Sequence, residues 1–154
     1  MKNRKSLFII SAVLAAAILF SGCMTISPAG EDEMLEIIEL INASDSENLA
    51  VQSADTFLLD AEVLYNPKLI KNLWQGLAES GFKISNPVIE ANRLILPADK
   101  SIFGSGPEVD AFFSKYVPEK ASLFKVSTGT GSYAFILGPS DIGKSMILAF
   151  GGPF

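Results

Sequence analysis

Residues 138–145, Gly-Pro-Ser-Asp-Ile-Gly-Lys-Ser, have the spacing G-x-x-x-x-G-K-[ST] of a phosphate-binding loop and follow the apolar run SYAFILG. That chemistry needs backbone N–H groups around a polyphosphate, a helix whose positive end begins at the Lys, and a later acid for Mg²⁺. Nine residues, MILAFGGPF, follow Ser145, and no acid follows Lys144. Asp60 of TFLLD would serve only in a permuted order, and its segment reads as helix. The expectation is therefore a β-hairpin turn that happens to contain Gly, Lys and Ser, with no nucleotide site. Ser122-Leu-Phe-Lys125 matches the S-x-x-K spacing of penicillin-interacting serine enzymes. Those enzymes need Ser and Lys one helical turn apart, whereas this segment reads as a strand, in which residues three apart face opposite ways.

The remaining parts for chemistry are few. The chain has no His and one Cys, so Ser–His and Cys–His pairs and the commonest metal ligand are missing. Paired carboxylates remain, Asp55 with Asp60 or Glu62, but the residues lie in a segment whose acids read as a solvated helix face. A carboxylate-only metal site would suit Ca²⁺ better than Zn²⁺, and no EF-hand spacing is present. Two Gly-rich stretches, Gly104-Ser-Gly106-Pro107 and Ser127-Thr-Gly-Thr-Gly-Ser132, have the composition of anion nests but equally of turns. The reading is a protein without catalytic, metal or cofactor residues.

Periodicity supplies the elements. Met34, Ile37, Ile38 and Ile41 mark an amphipathic helix over 31–43, with Glu31, Asp32 and Glu33 at its positive end. Ser44-x-x-Glu47 has capping-box spacing and opens a second helical pattern, with Ala50, Ala54, Phe57, Leu58 and Ala61 on one face. Its tail, FLLDAEVLY, fits a strand as well. Asn66-Pro67 starts a third helix, with Leu69, Ile70, Leu73, Trp74 and Leu77 on one side and Gly81 as its stop. Residues 82–97 read as one or two strands broken at Asn86-Pro87, and Pro107 to Val117 as a fourth helix. Strands are expected near 121–126, 132–138 and 144–150, with turn-rich STGTG and PSDIG between them. Phe112, Phe113, Phe124 and Phe135 fall at inward positions, whereas Phe103 and Phe154 are candidates for an exposed contact. The expected class is α+β, with N-terminal amphipathic helices packed on one face of an antiparallel sheet that ends in a three-stranded meander.

The first residues carry the address. Lys2, Arg4 and Lys5 precede the 14-residue apolar stretch Leu7 to Phe20, which is shorter than the ~20 residues of a membrane-spanning helix. Leu19-Phe20-Ser21-Gly22-Cys23 closes it and resembles the lipobox of bacterial lipoproteins, with Phe20 where most members carry Leu. The resemblance implies a diacylglyceryl thioether on Cys23, cleavage before it, and acylation, commonly with palmitate, of the new amino terminus. It divides the chain into a signal peptide (1–22), a lipidated tether (23–30) and one α+β domain (31–154). Met24, rather than Asp, after the Cys implies the outer membrane by the sorting rule of enteric bacteria, in its periplasmic or surface leaflet. A lone Cys consumed by lipidation also suits an exported chain without disulfides.

The mature chain keeps nine bases against 17 acids, a net charge of −8, and all 10 acids from Glu31 to Glu62 stand without an intervening base. That balance argues against nucleic acid as a partner. The expected function is a membrane-anchored envelope lipoprotein with a binding or accessory role beside an envelope protein. The alternative is a small-ligand or lipid-binding module with a pocket between helices and sheet.

Overall fold

The structure, a computed structural model, describes residues 27–139 and 144–154. Its centre is a mixed sheet of six strands: β1 (Ser53–Leu59), β2 (Glu62–Leu64), β3 (Val88–Leu94), β4 (Ser122–Thr128), β5 (Gly131–Leu137) and β6 (Ile147–Gly151). They lie in the order β2-β1-β6-β5-β4-β3. The helices are α1 (Glu31–Ala43), α2 (Ser46–Gln52), α3 (Pro67–Glu79), the four-residue α4 (Lys100–Phe103) and α5 (Pro107–Tyr116). The class is α+β.

Two features of the expected sheet are corrected. First, β1 runs parallel to β6, so the sheet is mixed rather than antiparallel. Second, both faces are covered. Met34, Ile37, Ile38 and Ile41 of α1, Leu49 of α2 and Ile70 and Trp74 of α3 pack on one side, against Phe57, Phe124, Phe135 and Phe150. Phe103, Val109 and Phe112 of α4 and α5 pack on the other, against Leu58, Leu123, Ala134 and Ile136. The cause lies in the strands themselves. Leu123-Phe124 and the run Ala134 to Leu137 are apolar at consecutive positions, and consecutive strand residues face opposite ways. Each face therefore needs its own cover, and each fully buried Phe or Leu contributes about 1.5–3 kcal/mol.

The same logic overturns the second half of the expected second helix. Helix α2 ends at Gln52, and Ser53 is extended, its hydroxyl donating to Leu49 O at 2.8 Å. Phe57 and Leu58 are neighbours and both fully buried, one in each core. A surface helix buries one stripe; a central strand buries both residues. The start of α2 also differs: Asp45 caps it, accepting the Asn48 N–H at 3.2 Å. Ser44 instead closes α1 in the left-handed conformation, φ 58°.

Of residues 82–97, only Val88–Leu94 joins the sheet. Ile84 is fully buried, yet its backbone bonds to a side chain. Asn42 Nδ2 donates to Ile84 O at 3.0 Å, and Ile84 N–H donates to Asn42 Oδ1 at 2.9 Å. One amide thus imitates a strand partner and satisfies both backbone groups of a buried residue. Phe103 is also corrected: it lies in the second core, 2% exposed, leaving Phe154 as the exposed one of the pair.

Candidate functional site

A concave surface lies where the end of β3, α4 and α5 converge. Beyond Leu94 the strand continues for one more bond, Ile95 N–H to Ala121 O at 2.9 Å. The chain then turns through Leu96–Asp99 into α4. Asp99 holds that turn: Arg93 Nη1 and Nη2 donate to its two oxygens, each at 2.7 Å, and Leu96 N–H donates to Oδ2 at 2.7 Å. Arg93 is on the strand and Asp99 on the turn, so the fork staples one to the other.

The Arg93 guanidinium holds the Asp99 carboxyl below the usual carboxylate range; burial opposes this, while the Leu96 N–H and the charges of Arg93 and Lys125 add to it. A carboxyl whose folded pKa is depressed stabilises the fold above its unfolded pKa, and that contribution is lost as pH falls through the folded value. Asp99→Asn should therefore cost about 2 kcal/mol at neutral pH. Urea denaturation at a series of pH values should show the gap to wild type closing below about pH 4. A gap unchanged by acid would remove the carboxylate from the account.

Over this staple opens a cleft of about 510 Å³, whose apolar walls come from Ile95, Leu96, Phe113, Val117 and Pro118. Lys100 and Asp110 also line it and form an ion pair with each other. A second depression, of about 360 Å³, adjoins it across Val117 and Pro118 and extends over Tyr116, Pro139 and Met146. The chemistry available in the cleft is apolar contact, with the Lys100–Asp110 pair and the Glu119 carboxylate at its wall.

The residues singled out in the sequence are scattered. Residues 140–143 of the phosphate-loop pattern, and Cys23 with the whole signal, lie outside the described residues. Lys144 is exposed, and three residues after it the chain reaches not a helix but β6, antiparallel to β5. Gly138 N–H closes that pair by donating to Met146 O at 2.8 Å. Ser122 and Lys125 do lie on opposite faces of β4. The Ser122 hydroxyl donates to Ala29 O at 3.1 Å, whereas Lys125 is on the Arg93–Asp99 side. Asp55 and Glu62 are not on a helix, since they belong to β1 and β2. Asp60 stands in the turn between them, φ 47°, and its Oδ1 accepts the Gly152 N–H at 2.9 Å.

Both Gly-rich stretches have contacts of their own. A Cβ on Gly104 would stand 2.8 Å from Ala61 Cβ, at a φ of +139°. Thr128 Oγ1 accepts the Thr130 N–H and donates to Gly131 O, which closes the β4–β5 hairpin. Among the described residues no group of three or more Cys, Asp or Glu could hold a metal ion, and no helix is long and apolar enough to cross a membrane.

The cleft itself was missed in the sequence. Leu96 comes from a different segment than Phe113 and Val117, which lie at the end of α5, and the only hint was that Pro97 and Pro118 break the elements beside them. No protein-family model and no curated protein matches the chain.

Proposed function

We propose that the chain is an envelope lipoprotein, held at a membrane by lipid on Cys23. Its α+β domain would act by binding, as an accessory component of an envelope protein assembly. The observation that carries this reading is how soon the fold begins after the anchor. Ala29, six residues after Cys23, is already buried, with its carbonyl held by Ser122. A domain with so short a tether works at the membrane surface and cannot reach far from it. The ion-paired charges and apolar walls of the cleft suit binding better than catalysis. Met24 after the Cys favours the outer membrane, in either leaflet.

Metabolic labelling with a palmitate analogue tests the anchor. Wild type should incorporate label and sediment with membranes, whereas Cys23→Ser should lose both. Equal labelling of the two would remove the anchor from the proposal. In-cell crosslinking of the same pair then tests the accessory role, which predicts a defined partner crosslinked only when the chain is anchored.

A second reading, a small-ligand or lipid-binding module, draws on the 510 Å³ cleft. It lies between α5 and the turn after β3 rather than between helices and sheet. Native mass spectrometry of the purified chain distinguishes the readings: a bound molecule of defined mass favours the module, and bare protein favours the accessory role.

A further inference from the structure

We infer that the domain stands on the bilayer on one end of its sheet, the end that carries Leu94, Leu96, Tyr116 and Met146. The inference rests on the lipid-anchor reading above and adds an orientation to it.

Strand register fixes what lies at that end. Leu94 pairs with Ser122, Ser122 with Leu137 and Leu137 with Ile147, one row across four strands. Leu96 follows the row on β3, Tyr116 ends the helix that leads into β4, and Met146 precedes β6. These four side chains are each about half exposed, from 41% for Tyr116 to 54% for Leu96. Leu96 lines one of the two depressions that meet at Val117 and Pro118, and Tyr116 and Met146 line the other, so these three share one continuous apolar surface; Leu94 stands at the same end on the other face of the sheet. Large apolar side chains left in water over one contiguous area mark a contact surface.

The tether says what covers it. Ala29 is bonded to Ser122, in the same row, so the chain enters the fold at this end. From Cys23 to Ser27 is four residues, which span at most about 14 Å when fully extended. The headgroup layer of one leaflet takes about 5–8 Å of that reach. Ser27 is then left within about 10 Å of the membrane surface. The opposite end, with Val88 and Phe154, lies a seven-residue strand away, roughly 23 Å. With the strands upright on the bilayer, that end stands clear of it. Lying flat is opposed by Glu36 and Glu39, both exposed on the outer side of α1.

Charge decides the kind of contact. Glu31, Asp32, Asp110 and Glu119 are set against Lys100, Lys115, Lys120 and Lys144 at this end, four acids and four bases. The surface therefore meets lipid through apolar side chains, and uncharged phosphatidylcholine suffices.

The test uses the full lipidated chain, purified from membranes and reconstituted in phosphatidylcholine vesicles. With Cys23 lipidated, a single introduced thiol is the only site for a nitroxide. Labels are placed at Leu96→Cys and Met146→Cys, with Thr130→Cys at the far end; all three positions are exposed, so the fold tolerates them. Collision with oxygen should rise, and with a water-soluble nickel complex fall severalfold, at the first two positions relative to the third. Equal nickel access at both ends, on protein whose Cys23 lipid is verified by mass spectrometry, overturns the orientation and leaves the anchor reading intact. Loss of both collisions at Leu96 and Met146 also overturns it, because it signals cover by a second copy rather than lipid. Protein recovered from membranes with an unmodified Cys23 sinks the anchor reading and the orientation with it.

Discussion

Trp74→Ala should lower the unfolding free energy by about 4 kcal/mol, a large part of the 5–15 kcal/mol that holds a domain together. Trp74 is fully buried between sheet and helix. Its ring meets Phe57 edge-on at 6.0 Å and Phe150 at 5.9 Å. Its Nε1 donates to Ser53 Oγ at 2.9 Å, and that hydroxyl donates in turn to Leu49 O. One side chain thus joins α3 to β1 at the residue where α2 ends. Alanine leaves a cavity with aromatic walls and takes away the donor that Ser53 accepts from. Trp74→Phe should cost less than half as much, since it keeps most of the volume and loses the hydrogen bond. Trp74 is the only tryptophan, so unfolding of either variant must be followed by circular dichroism rather than tryptophan fluorescence. A loss under about 2 kcal/mol for the alanine variant would mean that the core collapses into the gap, against the close packing around Trp74.

The second large effect comes from adding a single carbon. Gly152→Ala should destabilise the fold by about 2–3 kcal/mol. Gly152 has φ +115°, which L side chains avoid, and its new Cβ would stand 2.6 Å from Ser132 O and 3.2 Å from Tyr133 Cα. Both are backbone atoms of β5, and neither can rotate away. The Ser132 carbonyl is further committed, because it accepts the Phe154 N–H at 3.0 Å. The Gly152 N–H meanwhile donates to Asp60 Oδ1. Residues 152–154 thus strap the β1–β2 turn to β5, and alanine has to break the strap or bend the strand. Chemical denaturation measures the loss directly. A midpoint unchanged from wild type would show that the last residues peel away without consequence for the rest.

Two of the helices and the α+β class were legible in the chain before any packing was known. The stripe of Met34, Ile37, Ile38 and Ile41 and the start at Asn66-Pro67 are signals that act within a few residues, and helices run over Glu31–Ala43 and Pro67–Glu79. The opposed faces of Ser122 and Lys125 follow from strand geometry alone. Cys23 and its lipobox are likewise visible only as sequence, and the anchor remains a proposal that the palmitate experiment decides.

Whatever depends on a distant partner was set by packing. Residues 53–64 carry a helical stripe and a strand pattern at once. They became β1 and β2 because β6, some 90 residues later, lies alongside β1 and buries Phe57 and Leu58 in separate cores. Ile84 was drawn out of the strand pattern by Asn42, a partner 42 residues away. Phe103 was buried because the expected helix α5, Pro107–Tyr116, covers the second face of the sheet, and which face a helix covers is not a local signal. The cleft belongs to the same class of feature. Its walls come from the end of β3, α5 and the segment before β4, and only their packing brings Leu96, Phe113 and Pro118 around one space. Local propensity acts over a turn of chain, whereas sheet order and concave surfaces arise from contacts between segments that the chain itself keeps far apart.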